Sequence, residues 1–172
     1  MIKNIITYPL QFILLVLLQV MVLNNIQFSS FVNPFLYILF IIWLPIDTSK
    51  LLVMTLAFFI GISVDVFTDT LGMHTSACVF LAFVRPFILS LLAPRDGYEA
   101  NQKPTMNDFD LQWFLIYASL CTLLHHLFLF FVEIFTFSDF FSTLGRALAS
   151  SGFTLLLIMI IQFFYYNAEA RK

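Results

Sequence analysis

Three titratable side chains stand close together between two apolar runs, in the stretch Gly61–Thr75 that reads GISVDVFTDTLGMHT. Asp65 and Asp69 offer carboxylates and His74 an imidazole. A carboxylate pair with a histidine base can do acid–base chemistry, and an Asp/Asp/His set can hold a metal ion. The spacing is specific for neither: no nucleophile stands beside the carboxylates, and there is no His-x-x-x-His or Cys-x-x-Cys pattern. Helix geometry offers another role. Ala57, Gly61 and Asp65 recur every four residues and share one helix face. The small residues let a neighbouring helix approach closely, making a packing seam with Asp65 at its outer end. If the helix ran on, Asp69 would stack one turn beyond Asp65 and the like charges would repel. The helix is therefore expected to end near Phe67. Thr68, Asp69, Thr70 and Gly72 then form a tight turn, and Thr75 or Ser76 caps the next helix. A structural hairpin or partner contact is preferred over ion binding, and catalysis ranks last; neither a cofactor nor a metal is expected.

Other polar residues fall inside apolar runs. Arg85 lies mid-span, where a charge costs about 2.5–3.5 kcal/mol, so it should face the bundle interior or a partner. Pro86 follows it and frees a carbonyl one turn earlier, near Ala82, to which the guanidinium can donate. Recognition of a lipid phosphate or a partner carboxylate is the functional alternative. His125 and His126 are adjacent and diverge by about 100°, so one is expected to face inward. Glu133 and Arg146 lie at similar depth near the outer ends of neighbouring helices and are expected to pair. Gly145, Ala149 and Gly152 share a helix face as a small-residue stripe, expected to serve internal packing, with an interface to another membrane protein as runner-up. Gln11 and Gln19 lie about two turns apart and can bond to another helix.

The elements that must position these residues are membrane helices. Of 172 residues, 61% are hydrophobic and only 10% charged, and Phe alone occurs 23 times. A soluble domain carries about 25% charged residues. With net charge −2 the chain has no basic footprint for nucleic acid. Cys78 and Cys121 sit in apolar runs and behave as small hydrophobes. The apolar run after Lys3 has no small-residue cleavage site and reads as a retained first helix. Spans are expected over about 5–23, 31–45, 50–66, 76–92, 111–135 and 142–165. The second is short and bounded by Asn33-Pro34 and Pro45. One long polar loop, 94–110, reads as exposed. The whole is a single all-α integral membrane domain of six helices.

Orientation follows from loop cations. Lys3, Lys50, Arg95, Lys103, Arg171 and Lys172 all group on one side of a six-span chain, and the loops of the other side hold no Lys or Arg. Both termini are expected in the cytoplasm, and the 61–75 hairpin at the outer surface.

Gly61, Asp65, Leu71, Gly72 and His74, read as G-x-x-x-D-x-x-x-x-x-L-G-x-H, resemble MreD, the rod shape-determining membrane protein family of bacteria. The motif covers about fifteen residues; length, the short hairpin and inside termini agree over the whole chain. The resemblance implies a non-enzymatic component of the cell-elongation machinery in the bacterial cytoplasmic membrane. It implies association with MreC, with MreB, and with the peptidoglycan synthase RodA and its transpeptidase partner. It also implies a fold similar to the substrate-binding subunits of energy-coupling-factor vitamin transporters. Such a transporter subunit is the alternative function. Those subunits typically carry an Ala-x-x-x-Ala seam on the first helix, and the first span here, IITYPLQFILLVLLQVMVL, has no Ala. An intramembrane hydrolase ranks last, because it needs carboxylates converging from separate helices and both aspartates lie on one short segment.

Overall fold

The computed structural model describes residues 2–25, 32–135 and 139–169. Six α-helices form in chain order: α1 (Ile2–Met21), α2 (Leu39–Ile42), α3 (Lys50–Thr68), α4 (Met73–Leu91), α5 (Leu111–Ile134) and α6 (Phe140–Glu169). No strand occurs among the described residues. All but α2 are long and apolar enough to cross a membrane, as a multi-pass membrane protein requires. Helices α3–α4, α4–α5 and α5–α6 pack as sequential neighbours, and α1 packs on α3.

The second expected span is not a membrane helix. Residues 32–35 have no regular secondary structure, Leu36–Ile38 form a single 3-10 turn, and only one α-turn, α2, follows. The prolines explain this. Pro34 has no N–H and drives Asn33 away from helical angles, and Pro45 stops the helix at the other end. A helix over 35–44 would rise only about 15 Å, half of a hydrocarbon core about 30 Å thick.

This segment is also the core of the bundle. Tyr37, Ile38, Leu39, Ile41 and Ile42 have no exposed surface. Its start lies beside Gln19 of α1 and Ser150 and Thr154 of α6. Its end lies beside Tyr8 of α1 and stacks Trp43 on Tyr165 of α6. It therefore runs antiparallel to α1 and parallel to α6. The Tyr8 end of α1 and the Tyr165 end of α6 consequently share one end of the bundle.

Irregular backbone at membrane depth survives only where protein satisfies its polar groups, each orphan costing several kcal/mol. Side chains do so here. Asn33 N donates to Ser150 Oγ at 3.0 Å, Phe35 N to Thr154 Oγ1 at 3.0 Å, and Leu36 N to Gln19 Oε1 at 2.8 Å. Gln19 Nε2 donates back to Pro34 O at 3.0 Å. At the other end, Tyr117 Oη donates to Ile42 O at 3.3 Å, and Arg85 Nη2 donates to Leu44 O and, at 3.4 Å, to Pro45 O.

The 94–110 loop, expected as exposed, is partly tucked onto the bundle end. Thr105 is buried, Ile46 N donates to Gln102 O at 3.0 Å, and Tyr98 Oη donates to Leu89 O at 2.6 Å. Burial raises the Tyr98 pKa above its ordinary value. Asp110 starts α5 by accepting from Trp113 N at 2.6 Å.

Gln19→Leu removes the partners of both Leu36 N and Pro34 O. At about 1–3 kcal/mol for each buried group left unpaired, the variant should melt well below the parent in mild detergent. Superimposable thermal melts would show that Gln19 does not hold the segment.

Candidate functional site

Helix α3 ends one residue later than expected, at Thr68, and Asp69 closes it in the left-handed region at φ 56°. That conformation turns the chain, so Asp69 leaves the helix face that Asp65 occupies and stands exposed. Helix α4 begins at Met73, after Gly72 at φ 80°. The expected cap, Thr75 or Ser76, is thereby corrected: these residues lie inside the helix. The capping group comes from α3. Asp65 Oδ2 accepts from Thr75 N at 2.8 Å and Thr75 Oγ1 at 2.5 Å, and Oδ1 from His74 N at 3.1 Å and Thr70 Oγ1 at 2.5 Å. A carboxylate on the first N–H groups of a helix satisfies orphan donors and complements the helix dipole.

Gly61 makes this possible. A Cβ at Gly61 would lie 2.4 Å from Thr75 Cα and 2.9 Å from Thr75 N. The first turn of α4 thus rests directly on the backbone of α3, one turn before Asp65. Ala57, Gly61 and Asp65 are all buried along this seam.

His74 then points into the bundle. Its Nδ1 lies 2.8 Å from Tyr37 Oη, and the same hydroxyl lies 3.1 Å from His125 Nε2. Tyr37 has one hydroxyl proton, so one ring accepts it and the other donates. Both His125 and His126 are fully buried, where only one was expected to face the interior. The reason is that α5 is covered on two sides, by the central segment and by α6. His126 Nδ1 lies 2.8 Å from Thr122 O, which can only accept, and Nε2 lies 3.0 Å from Thr154 Oγ1. Thr154 Oγ1 already accepts from Phe35 N, so its proton is free to go to Nε2 of the neutral ring. The Phe35 ring sits among His74, His125 and His126 with centroids 5.1, 6.4 and 5.3 Å away.

Arg85 is 2% exposed. Its partners are not the Ala82 carbonyl freed by Pro86. Nε donates to Tyr117 Oη at 2.8 Å, and Nη2 to the carbonyls of Leu44 and Pro45. The central segment, with more unpaired carbonyls at its end, competes successfully for the guanidinium. Arg146 Nη2 meets Glu133 Oε1 at 3.4 Å, and the guanidinium carbon lies 4.8 Å from the Phe130 ring centroid. Neither Asp65 nor Asp69 competes for Arg146.

The stripe Gly145, Ala149, Gly152 does not serve internal packing. Ala149 and Gly152 are exposed, Gly145 is half-buried, and a Cβ at Gly152 would meet nothing within 4 Å. The inward face of α6 is instead Thr143, Ala147, Ser150, Thr154, Ile158 and Gln162, because its hydroxyls are needed by residues 33–35. Sequence reasoning missed Tyr37, Tyr117, Ser150 and Thr154 as partners of this polar core. A hydroxyl recurring at Thr143, Ser150 and Thr154 along one helix face was the available signal.

Chemically, the arrangement holds structure together. Among the described residues no group of three His, Cys, Asp or Glu side chains is placed to hold a metal ion. The four-fold acceptor load on Asp65 comes wholly from its own hairpin. No family model, curated protein or solved structure matches this chain.

Gly61→Ala should lower the melting midpoint sharply, because the clash is with backbone and cannot be relieved by a rotamer change. Gly152→Ala should leave it unchanged. Equal melts for both variants would show that the close approach at Thr75 is dispensable. Asp65→Asn keeps one acceptor oxygen and places an amide against donors, so it should destabilise by about 1–3 kcal/mol. A denaturation series on the purified chain reads this directly, and a cost near zero would remove the capping role.

Proposed function

We propose that this chain is an MreD-like, non-enzymatic membrane scaffold of the bacterial cell-elongation machinery. It sits in the cytoplasmic membrane with both termini inside, and it binds MreC, RodA with its transpeptidase partner, and MreB. The observation that carries this reading is the hairpin motif. Gly61, Asp65, Gly72 and His74 each have a mechanical task in setting α4 against α3 or against Tyr37. A motif spent on rigidity suits a protein whose product is a shaped surface. Two such surfaces support the reading. A groove beside the hairpin is lined by Phe58, Ile62, Val66 and Asp69, and the Ala149–Gly152 face of α6 is open to a neighbouring helix. They suit the transmembrane and periplasmic parts of partners, while the ordered 94–110 loop suits a cytoskeletal one.

A tagged pull-down in mild detergent from the native host, read by mass spectrometry, tests this. Recovery of MreC or an elongation-specific synthase is expected, and Gly152→Leu should reduce it without altering the melt. Recovery of an ATPase pair with a coupling subunit would instead make the chain a transporter component and end the scaffold reading.

A further inference from the structure

Arg85 is bonded but its charge is not neutralised. Its partners are a hydroxyl and two carbonyls, all uncharged. The one ion pair among the described residues joins Arg146 to Glu133. Nη1 makes none of these bonds, and Arg85 lines a lateral cavity of about 490 Å³ between α3, α4 and the tucked loop. The cavity wall also carries Lys50, Thr48, Ser90 and Tyr98, and no Asp or Glu. Tyr98 and Ser90 donate their hydroxyl protons to the carbonyls of Leu89 and Phe87, so the anion-binding groups around this space are a buried guanidinium and an ammonium.

The location says which anion. Arg85 lies six residues before the end of α4, about 9 Å inside it. Lys50 is the first residue of α3, and its Nζ sits 3.9 Å above the Phe83 ring centroid and 5.5 Å from that of Phe87. Phe83, Phe87 and Leu91 are exposed on the outer face of α4. The cavity therefore opens at headgroup depth, where Lys50 stands, and reaches inward to Arg85 beside an apolar wall fit for acyl chains.

We propose that this cavity binds the phosphate of an anionic membrane lipid, with Arg85 presenting Nη1 from within and Lys50 closing over it from the mouth. The site is independent of the scaffold reading. It gives the otherwise costly mid-helix arginine a counter-ion that the chain itself does not supply.

The test uses the full chain, delipidated in a neutral detergent. Phosphatidylglycerol, phosphatidylcholine and inorganic phosphate are titrated separately and followed by native mass spectrometry and thermal shift. Phosphatidylglycerol should bind and stabilise more than phosphatidylcholine. Lys50→Gln, an exposed position, should weaken its binding about fivefold, the worth of one cation near the membrane surface. Lys103→Gln, outside the cavity wall, should leave it unchanged. Arg85→Lys, if it folds, should bind less lipid than the parent at equal charge. Equal binding by parent and Lys50→Gln would overturn the site, as would equal losses in Lys50→Gln and Lys103→Gln. Stabilisation by inorganic phosphate matching that by the lipid would overturn the lipid assignment.

Discussion

A stretch of backbone that is not helical must be kept dry and fully bonded at membrane depth, and most of the polar residues of this chain answer to that requirement. The segment from Asn33 to Pro45 cannot satisfy itself, because prolines bracket it and only one α-turn fits between them. Gln19, Ser150 and Thr154 bond one end; Arg85 and Tyr117 bond the other. These partners come from α1, α4, α5 and α6, so the segment is the common point on which separate helices register. Polar side chains in a bilayer are expensive, and here their cost is offset by the larger cost of naked peptide groups.

The α3–α4 hairpin solves a second problem with the same economy of means. Two helices that run side by side leave orphan N–H groups where the second begins. Gly61 brings the first turn of α4 into backbone contact, and that closeness lets Asp65 reach the His74 and Thr75 N–H groups. The hairpin then aims His74 at Tyr37. A glycine on one helix thus sets the position of an imidazole on the next, and through it the hydroxyl of the central segment.

Much of the fold was legible because apolar length is a strong signal. Helices α3 and α5 match expectation closely: 50–66 against Lys50–Thr68, and 111–135 against Leu111–Ile134. Helix α4 starts three residues early, at Met73 rather than Ser76, because its cap comes from another helix and leaves no local signature. The span over 31–45 was misread for a related reason. Hydropathy reports that a segment is dry, while its backbone angles here depend on donors and acceptors far away in sequence. Arg85 was placed indoors by the cost of its charge, yet its carbonyl partners stand some forty residues earlier. The Glu133–Arg146 pair was legible from depth alone. The stripe Gly145, Ala149, Gly152 shows the limit of composition: small residues permit close approach, but the stripe turned outward because Ser150 and Thr154 had to face in.

The reliance of Asn33 and Phe35 on α6 has a consequence for how the protein is made. Ser150 and Thr154 lie more than a hundred residues downstream of the amides they receive. A chain leaving the ribosome therefore carries an incompletely bonded segment until its last helix arrives. The hairpin of α3 and α4 has no such debt, since Asp65 finds all four of its donors within ten residues. Biogenesis thus divides into an early unit that can enter the bilayer already paired and a central strut that stays open to water, lipid or an insertion chaperone until synthesis ends. Quality control has a natural checkpoint there, because a chain truncated before α6 exposes its defect at the centre of the bundle.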